Sequence, residues 1–219
     1  METKFLATAE AGEVSGILMR PENARALIVV GHGASTNMRH ATLQTIAESM
    51  AAVGIATFRY NFPYSENGRG RDSAPVCMAT VRSAVAKARE LEPDLPLLAG
   101  GHSFGGRMTS TAASEAPIEG VRGLVFFSFP LHLAKQPNIK RAAHLEHVTV
   151  PMLFLSGTRD DLAELPLLRG VCEKLGPRVT LHLLDTADHG FRVLKRTRTS
   201  PEGVFEEMAR TVVEWFSGI

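Results

Sequence analysis

Apolar residues along this chain form short continuous runs that alternate with longer stretches of helical spacing. Short runs rich in β-branched residues are typical of strands that are buried on both faces of a sheet. Apolar residues spaced three and four positions apart predict amphipathic helices between these runs. We expect strands over Arg25–Gly31, Ile55–Asn61, Pro96–Gly101, Val121–Phe127, Met152–Ser156 and Val179–Leu184. We expect helices over His40–Val53, Val76–Leu91, Phe104–Ala116, Leu162–Leu175 and Pro201–Phe216.

The order of these elements predicts the fold class. Two alternating stretches, Lys4–Thr8 and Glu13–Met19, predict an antiparallel pair of strands ahead of the series. Strands and helices then alternate without a repeat or a linker, which predicts an α/β fold with a mostly parallel central sheet and helices on both faces. We expect a single domain over residues 1–219. The irregular segment 129–150 is predicted to form only a short lid-like excursion, with one helix near residues 139–146.

Composition narrows the class of protein. Hydrophobic residues make up 44% of the chain, charged residues 21%, and the net charge is +1, which is ordinary for a globular protein and gives no reason to expect nucleic acid as a partner. No stretch resembles a signal peptide or a membrane span. Cys77 and Cys172 stand alone and are expected to be small core residues in a reducing compartment. We therefore expect a cytoplasmic protein without a membrane partner.

The sequence LLAGGHSFGGR contains the pattern G-x-S-x-G at Gly101, Ser103 and Gly105. The pattern is short and arises easily by chance, but here an apolar strand precedes it and a run of small residues suited to a helix follows. This context predicts a sharp strand–turn–helix that exposes the serine hydroxyl. A side chain at either glycine would collide with a neighbouring strand or helix. The amide of Phe104, at the start of the helix, is a candidate donor to a developing oxyanion.

A serine nucleophile needs a base to accept its proton and an acid to orient that base. In a parallel sheet, the loops at the carboxyl ends of the strands meet at one site. Asp160 and His189 each follow an apolar strand and are the candidate acid and base for Ser103. Asp160 is alternatively the N-cap of a helix, with Asp161 as the alternative acid. Asp188 is expected to be a local turn residue, and His189 is alternatively a surface histidine.

Several pieces of the chain together resemble one family. They are VVGHGAS, FRYNFPYSENGR, GGHSFGGRM, VPMLFLSGTRDDL and DTADHGF, and they extend over most of residues 25–191. The chain resembles α/β-hydrolases of the small, nearly lidless, dienelactone-hydrolase-like kind, and within them the Tex30/KANSL3-like branch. Dienelactone hydrolases proper use a cysteine nucleophile. Ser103 stands in its place here, so their substrate is not carried over.

The resemblance implies an α/β-hydrolase fold with a minimal lid and assigns roles to particular residues. It implies a catalytic triad of Ser103, His189 and Asp160, and an oxyanion hole formed by backbone amides. The donors are expected to be Phe104 and Ala34, with Ser35 as the alternative to Ala34.

Polar residues in the loops after the first two core strands are candidates for substrate binding, namely His32, Ser35, Asn61 and Tyr64. Among these, His32 is expected to shape the oxyanion loop by hydrogen bonding rather than to take part directly in catalysis. The same region is rich in charged residues and could select an anionic or polar substrate. These residues are Arg59, Glu66, Arg69 and Arg71.

Other histidines are expected to have no chemical role. His102 is predicted to be a structural residue of the turn around Ser103. The spacing of His132, His144 and His147 matches no common metal motif, and no cysteine joins them, so we predict no metal site.

The sequence thus predicts a serine hydrolase of carboxylic esters or thioesters of modest size, with a small-molecule substrate and no cofactor. Two alternatives remain at this point, a small peptidase and a non-catalytic binding or scaffold protein of the same fold. Pairing of two copies into a homodimer would leave no readable mark in the sequence and stays open.

Overall fold

A computed structural model describes all 219 residues and contains eight strands. The strands are β1 (Glu2–Thr8), β2 (Gly12–Met19), β3 (Ala26–Gly31), β4 (Ile55–Tyr60), β5 (Leu97–His102), β6 (Val121–Phe127), β7 (Met152–Gly157) and β8 (Val179–Leu184). They form one sheet in the order β1-β2-β4-β3-β5-β6-β7-β8. β1 pairs antiparallel with β2, and β2 pairs antiparallel with β4. All other neighbours are parallel, which confirms the predicted α/β-hydrolase fold.

Helices cover both faces of the sheet. They are α1 (Ala41–Ala52), α2 (Pro63–Glu66), α3 (Ala74–Leu91), α4 (Phe104–Glu115), α5 (Leu165–Leu175) and α6 (Val204–Phe216). Buried residues of α3, α4 and α5 pack together in the core on one face. Those of α1 and α6 pack in the core on the other face. The middle strands are buried along their whole length, as their continuous apolar runs predict.

Element boundaries differ from the predicted ones where polar groups or proline decide them. The stretch after β4, expected to be irregular, contains the one-turn helix α2, which begins with Pro63. Helix α5 begins at Leu165 rather than Leu162, with Pro166 in its first turn. The helix expected near residues 139–146 is a 3₁₀ helix, Lys140–His147. The segment from β6 to β7 forms no lid.

Helix α6 carries a charged residue on the side that the sequence pattern marks as apolar. Glu207 is buried, accepts a hydrogen bond from His182 Nε2 on β8 at 2.8 Å, and pairs with Arg198. This pairing satisfies the carboxylate and fixes α6 against β8. Both cysteines are buried and free. None of the helices combines the length and the apolar character that a membrane crossing would need.

Candidate active site

The turn between β5 and α4 forces Ser103 into an unusual backbone conformation. Its φ is 53° and its ψ is −114°, a region that residues with a side chain seldom occupy. The turn is possible because β3 and α4 approach each other closely. A Cβ at Gly105 would lie 2.2 Å from the Gly31 carbonyl carbon, and one at Gly101 would lie 2.4 Å from the Gly31 oxygen. Both glycines are therefore required by the close backbone packing that the sequence pattern predicts.

Ser103, His189 and Asp160 form a continuous hydrogen-bonded series. The Ser103 hydroxyl lies 2.8 Å from Nε2 of His189, so Oγ–H can donate to this nitrogen. Nδ1 of the same ring lies 2.9 and 2.8 Å from the two carboxylate oxygens of Asp160 and, when protonated, donates to them. The Asp160 side chain is fully buried, and that of His189 is 18% exposed. The ring is thus oriented from its buried side and open toward the serine.

Asp160, Asp161 and Asp188 differ in their contacts with His189. Asp160 bonds to the histidine and also accepts from the Leu162 amide at 2.9 Å. Asp160 is not the N-cap of α5, because Glu164 occupies that position. Asp161 is exposed and makes no hydrogen bond to His189. Asp188 accepts from the amides of Gly190 and Arg192, so it shapes the turn that carries His189.

His102 supports the loop of His189 through a hydrogen bond to its backbone. It is buried, and its Nε2 lies 3.1 Å from the backbone oxygen of His189, to which it can donate. Its ring packs 5.4 Å from the His189 ring and 5.8 Å from the Phe191 ring, centroid to centroid. Burial, with a smaller contribution from His189, lowers the pKa of His102 to about 4. His102 is therefore a neutral positioning residue rather than a second base.

Free backbone amides occur directly after Ser103 and in the loop after β3. Phe104 is the first residue of α4, where an N–H has no partner within the helix. Ala34 lies in the loop after β3, and its amide donates to no acceptor within the protein. The same is true of the exposed residue Ser35. Unused amides beside a nucleophile are suited to a developing oxyanion.

Three of the four residues predicted to bind substrate are buried and make hydrogen bonds to the loop after β3 or to its neighbours. His32 is inaccessible; its Nδ1 lies 2.7 Å from the Gly33 oxygen, and its Nε2 accepts from the Phe62 amide at 3.1 Å. Burial lowers its pKa to about 4, so the ring is neutral. Asn61 accepts from the Met38 amide at 2.9 Å and donates to Glu66 at 2.7 Å.

Tyr64 belongs to the same support. Its side chain is 5% exposed, its ring stacks on that of Phe62, and its hydroxyl lies 3.5 Å from the Gly33 oxygen. The polar atoms of His32, Asn61 and Tyr64 thus make hydrogen bonds within the protein, and their role in substrate binding stays a prediction. Ser35 is exposed at the rim of this loop.

The charged residues of β4 and of the loop after it differ in whether they have hydrogen-bonding or ionic partners. Arg59 is buried and donates to the Met38 oxygen at 3.3 Å. Glu66 accepts from the Ser15 hydroxyl at 2.7 Å. Arg69 pairs with Asp72 at 3.1 Å. Arg71 has no hydrogen-bonding partner, and its guanidinium carbon lies 5.0 Å from the centre of the Phe104 ring.

Two arginines that were not predicted from the sequence lie on the same side of Ser103 as Arg71. Arg107 on α4 has its guanidinium carbon 5.5 Å from the Phe104 ring centre. Arg141 lies on the 3₁₀ helix and donates to the His132 oxygen at 2.9 Å. The helical position of Arg107, one turn after Ser103, was the available clue. No feature of the sequence predicts that Arg141 lies near Arg107.

An open cavity of about 550 Å³ adjoins the other side of the site. Its wall includes the His189 side chain and contains no hydrophobic residue. The other lining residues are His40, Thr42, His102, Arg159, Asp161, Asp188, Gly190 and Arg192.

His144 makes a second serine–histidine contact, with its Nε2 2.7 Å from the Ser110 hydroxyl on α4. No three side chains of His, Cys, Asp or Glu are grouped so as to hold a metal ion.

Comparison with known proteins places the chain among the alpha/beta hydrolases. Residues 24–217 match the family model described as the alpha/beta hydrolase domain. A dienelactone hydrolase from Anabaena variabilis has a similar structure, with a TM-score of 0.73 and 20% identity over 100% of this chain and 97% of that one.

Two further solved structures share the fold. Est1E from Butyrivibrio proteoclasticus, determined with ferulic acid bound, gives a TM-score of 0.73 at 15% identity, covering 94% of this chain and 95% of its own. XC6422 from Xanthomonas campestris, an α/β serine hydrolase without a lid, gives 0.71 at 19% identity, covering 97% and 94%.

Proposed function

Because this chain belongs to the alpha/beta hydrolase family, we propose that it is a serine hydrolase that cleaves carboxylic esters or thioesters of modest size. One observation carries the proposal: the hydrogen-bonded series from the Ser103 hydroxyl through His189 to the buried Asp160 carboxylate. A histidine held in this way accepts a proton from the serine, and the carboxylate stabilises the imidazolium that results.

Acylation follows from this series. Ser103 Oγ attacks the carbonyl carbon of the ester while its proton passes to His189 Nε2. The amides of Phe104 and Ala34 donate to the oxygen that becomes negatively charged. The tetrahedral intermediate then collapses, the bond between carbon and leaving group breaks, and His189 returns the proton to the departing oxygen or sulfur.

Deacylation repeats the same steps with water. His189 removes a proton from a water molecule, and the hydroxide formed attacks the acyl carbon on Ser103. The same amides stabilise the second oxyanion, and collapse releases the carboxylic acid and restores the Ser103 hydroxyl. Apart from substrate and water, the cycle uses only side chains and backbone amides of this chain.

The absence of a lid over the strand ends supports a substrate that enters from solvent rather than through a deep tunnel. The polar cavity beside His189 is suited to a leaving group with polar character, because His189 must approach the departing atom. We therefore propose esters or thioesters with short to medium acyl groups.

A fluorophosphonate probe tests the proposal, because it forms a stable bond only with an activated serine. We expect the native protein to be labelled and to hydrolyse 4-nitrophenyl esters of short chain length. Ser103→Ala and His189→Ala should prevent labelling, and Ser103→Ala should lower kcat/KM by about 10⁶-fold. The matched control is Ser110→Ala, which removes the other serine that contacts a histidine and should leave activity unchanged.

The contrary outcomes have defined meanings. A folded native protein that neither reacts with the probe nor hydrolyses any ester supports a binding protein of the same fold. Equal loss in Ser110→Ala and Ser103→Ala would move the nucleophile away from the proposed position. Hydrolysis of peptide anilides in preference to esters would support a peptidase.

A further inference from the structure

Three arginines from separate parts of the chain converge beside the proposed nucleophile. Arg71 precedes α3, Arg107 lies in the first turn of α4, and Arg141 lies on the 3₁₀ helix after β6. The guanidinium groups of the first two lie against the same ring, that of Phe104, at 5.0 and 5.5 Å from its centre. Phe104 directly follows Ser103, so this arginine cluster (Arg71, Arg107 and Arg141) borders the active site.

No carboxylate of the protein neutralises the arginine cluster. None of its members takes part in a salt bridge, whereas Arg69 in the same loop is paired with Asp72. The second oxygen of Asp72 accepts from the Tyr64 amide at 2.6 Å. The only hydrogen bond that a side chain of the cluster donates is that of Arg141 to the His132 oxygen.

The cluster keeps like charges close together in a partly buried place. Burial, and then the neighbouring Arg141 and Arg71, lower the pKa of Arg107. Burial and Arg71 likewise lower the pKa of Arg141. The Phe104 ring attracts the two guanidinium groups through its face without cancelling their charge. Repulsion of this kind destabilises the folded protein unless an anion binds between the arginines.

The position of the cluster indicates that it faces the acyl group of the substrate rather than the leaving group. Phe104 packs in the core that α3 and α4 form. The His189 ring lies on the opposite side and contacts His102 and Phe191, and Phe191 belongs to the core of α1 and α6. Since His189 must reach the leaving group, the leaving group lies on the α1/α6 side. The acyl group then extends toward the arginines.

We propose that the arginine cluster binds an anionic group on the acyl part of the substrate, so that the preferred substrates are esters or thioesters of acids that carry a second acidic group. This inference rests on the proposed serine hydrolase function. Guanidinium groups bind carboxylates and phosphates in the same bidentate way, so either anion fits the site chemically.

Two matched esters test the inference. Mono(4-nitrophenyl) adipate carries a free carboxylate at the end of a six-carbon acyl chain, and 4-nitrophenyl hexanoate has the same chain length without charge. We expect a higher kcat/KM for the adipate ester in the native protein. Arg71→Gln and Arg107→Gln should each lower the adipate-to-hexanoate ratio by about tenfold or more, as expected when a hydrogen bond to a charged group is lost.

The matched control is Arg169→Gln, which removes an exposed arginine of α5 that has no partner. It should leave both rates and their ratio unchanged. Rising ionic strength should lower the ratio in the native protein and have less effect in Arg107→Gln, because salt screens charge attraction. An ester of 6-phosphonohexanoic acid, tested in parallel, shows whether phosphonate is preferred to carboxylate.

The results separate failure of this inference from failure of the proposed function. Labelling of Ser103 together with equal rates for the two esters would overturn the arginine site and leave the serine hydrolase intact. Loss of labelling and of both activities would overturn both. A third ester pair, 4-acetoxybenzoate and phenyl acetate, places the charge on the leaving group. A preference that depends on the cluster only in this pair would contradict the assignment to the acyl side.

Discussion

The two sides of Ser103 use their polar residues in opposite ways. On the side of β7 and β8, the hydrogen bonds of Asp160 and His189 lead from the protein interior to the serine hydroxyl. On the side of β3 and β4, the bonds of His32 and Asn61 end within the loops themselves. The difference shows how polar residues near a site can be assigned. Those whose hydrogen bonds are used internally position the backbone, and those with open capacity toward the site meet the substrate.

Two histidines illustrate this contrast, since each is in contact with the same site. His189 has one nitrogen on a buried carboxylate and the other on Ser103. His32 has both nitrogens on backbone groups and no exposed atom. By this criterion, we propose that His189 takes part in the chemistry and that His32 holds the loop that contains Ala34.

The largest effect after loss of the nucleophile is expected at the buried acid. Asp160→Asn retains the shape of the side chain but removes the charge that holds the His189 ring in the required tautomer. We expect kcat to fall by about 10⁴-fold. Steady-state kinetics with 4-nitrophenyl acetate measures the effect, and Asp161→Asn is the matched control with unchanged activity. A larger loss in Asp161→Asn than in Asp160→Asn would refute the assignment of the acid.

A smaller effect is expected on the supporting side. His32→Gln leaves the Phe62 amide and the Gly33 oxygen with poorer partners, so the amide of Ala34 moves from its place. A displacement of this size lowers kcat by about 10²-fold, whereas KM for a neutral ester changes little. His182→Gln, on β8, controls for the general effect of replacing a hydrogen-bonded histidine. If His32→Gln raised KM and left kcat unchanged, His32 would be a substrate-binding residue instead.

The smallest effect concerns stability, and it arises from the two buried histidines His32 and His102. Burial lowers the pKa of His32 and of His102 to about 4, so both remain neutral in the folded protein while the unfolded chain binds protons below about pH 6.5. The free energy of unfolding should therefore fall as pH falls from about 6.5 to 4, by up to about 3 kcal/mol for each histidine. Urea unfolding at several pH values measures this slope. The slope should be shallower in His32→Gln, and an equal slope would contradict the assignment.

Strand and helix positions could be predicted because the fold buries continuous apolar runs. The core strands β3 to β8 lie where these runs lie, within one or two residues. The exceptions have local causes. Helix α2 is only one turn long and has no helical periodicity to detect. The start of α5 depends on the turn that Asp160 stabilises, a tertiary requirement of the site.

Some residues of the candidate site could be predicted from the local sequence, and others depend on contacts between distant parts of the chain. Ser103, Asp160 and His189 follow core strands directly, so their meeting point depends only on topology. Whether His32, Asn61 and Tyr64 point outward depends on how the loops fold, and the sequence pattern contains no sign of it. Arg71 was a candidate for binding an anionic substrate, but the cluster as a whole was missed because the sequence does not show where the helix that carries Arg141 lies relative to Ser103.

A covalent acyl-enzyme at Ser103 is the most direct consequence of the proposed function. We would mix the protein with excess 4-nitrophenyl acetate, stop the reaction with acid during turnover, and analyse peptides by mass spectrometry. We expect one acetyl group on the peptide that contains Ser103, together with a burst of 4-nitrophenol that matches the enzyme concentration. His189→Ala should show neither. Continued ester hydrolysis with no acetyl group on Ser103, or with the group on another residue, would contradict the proposed function.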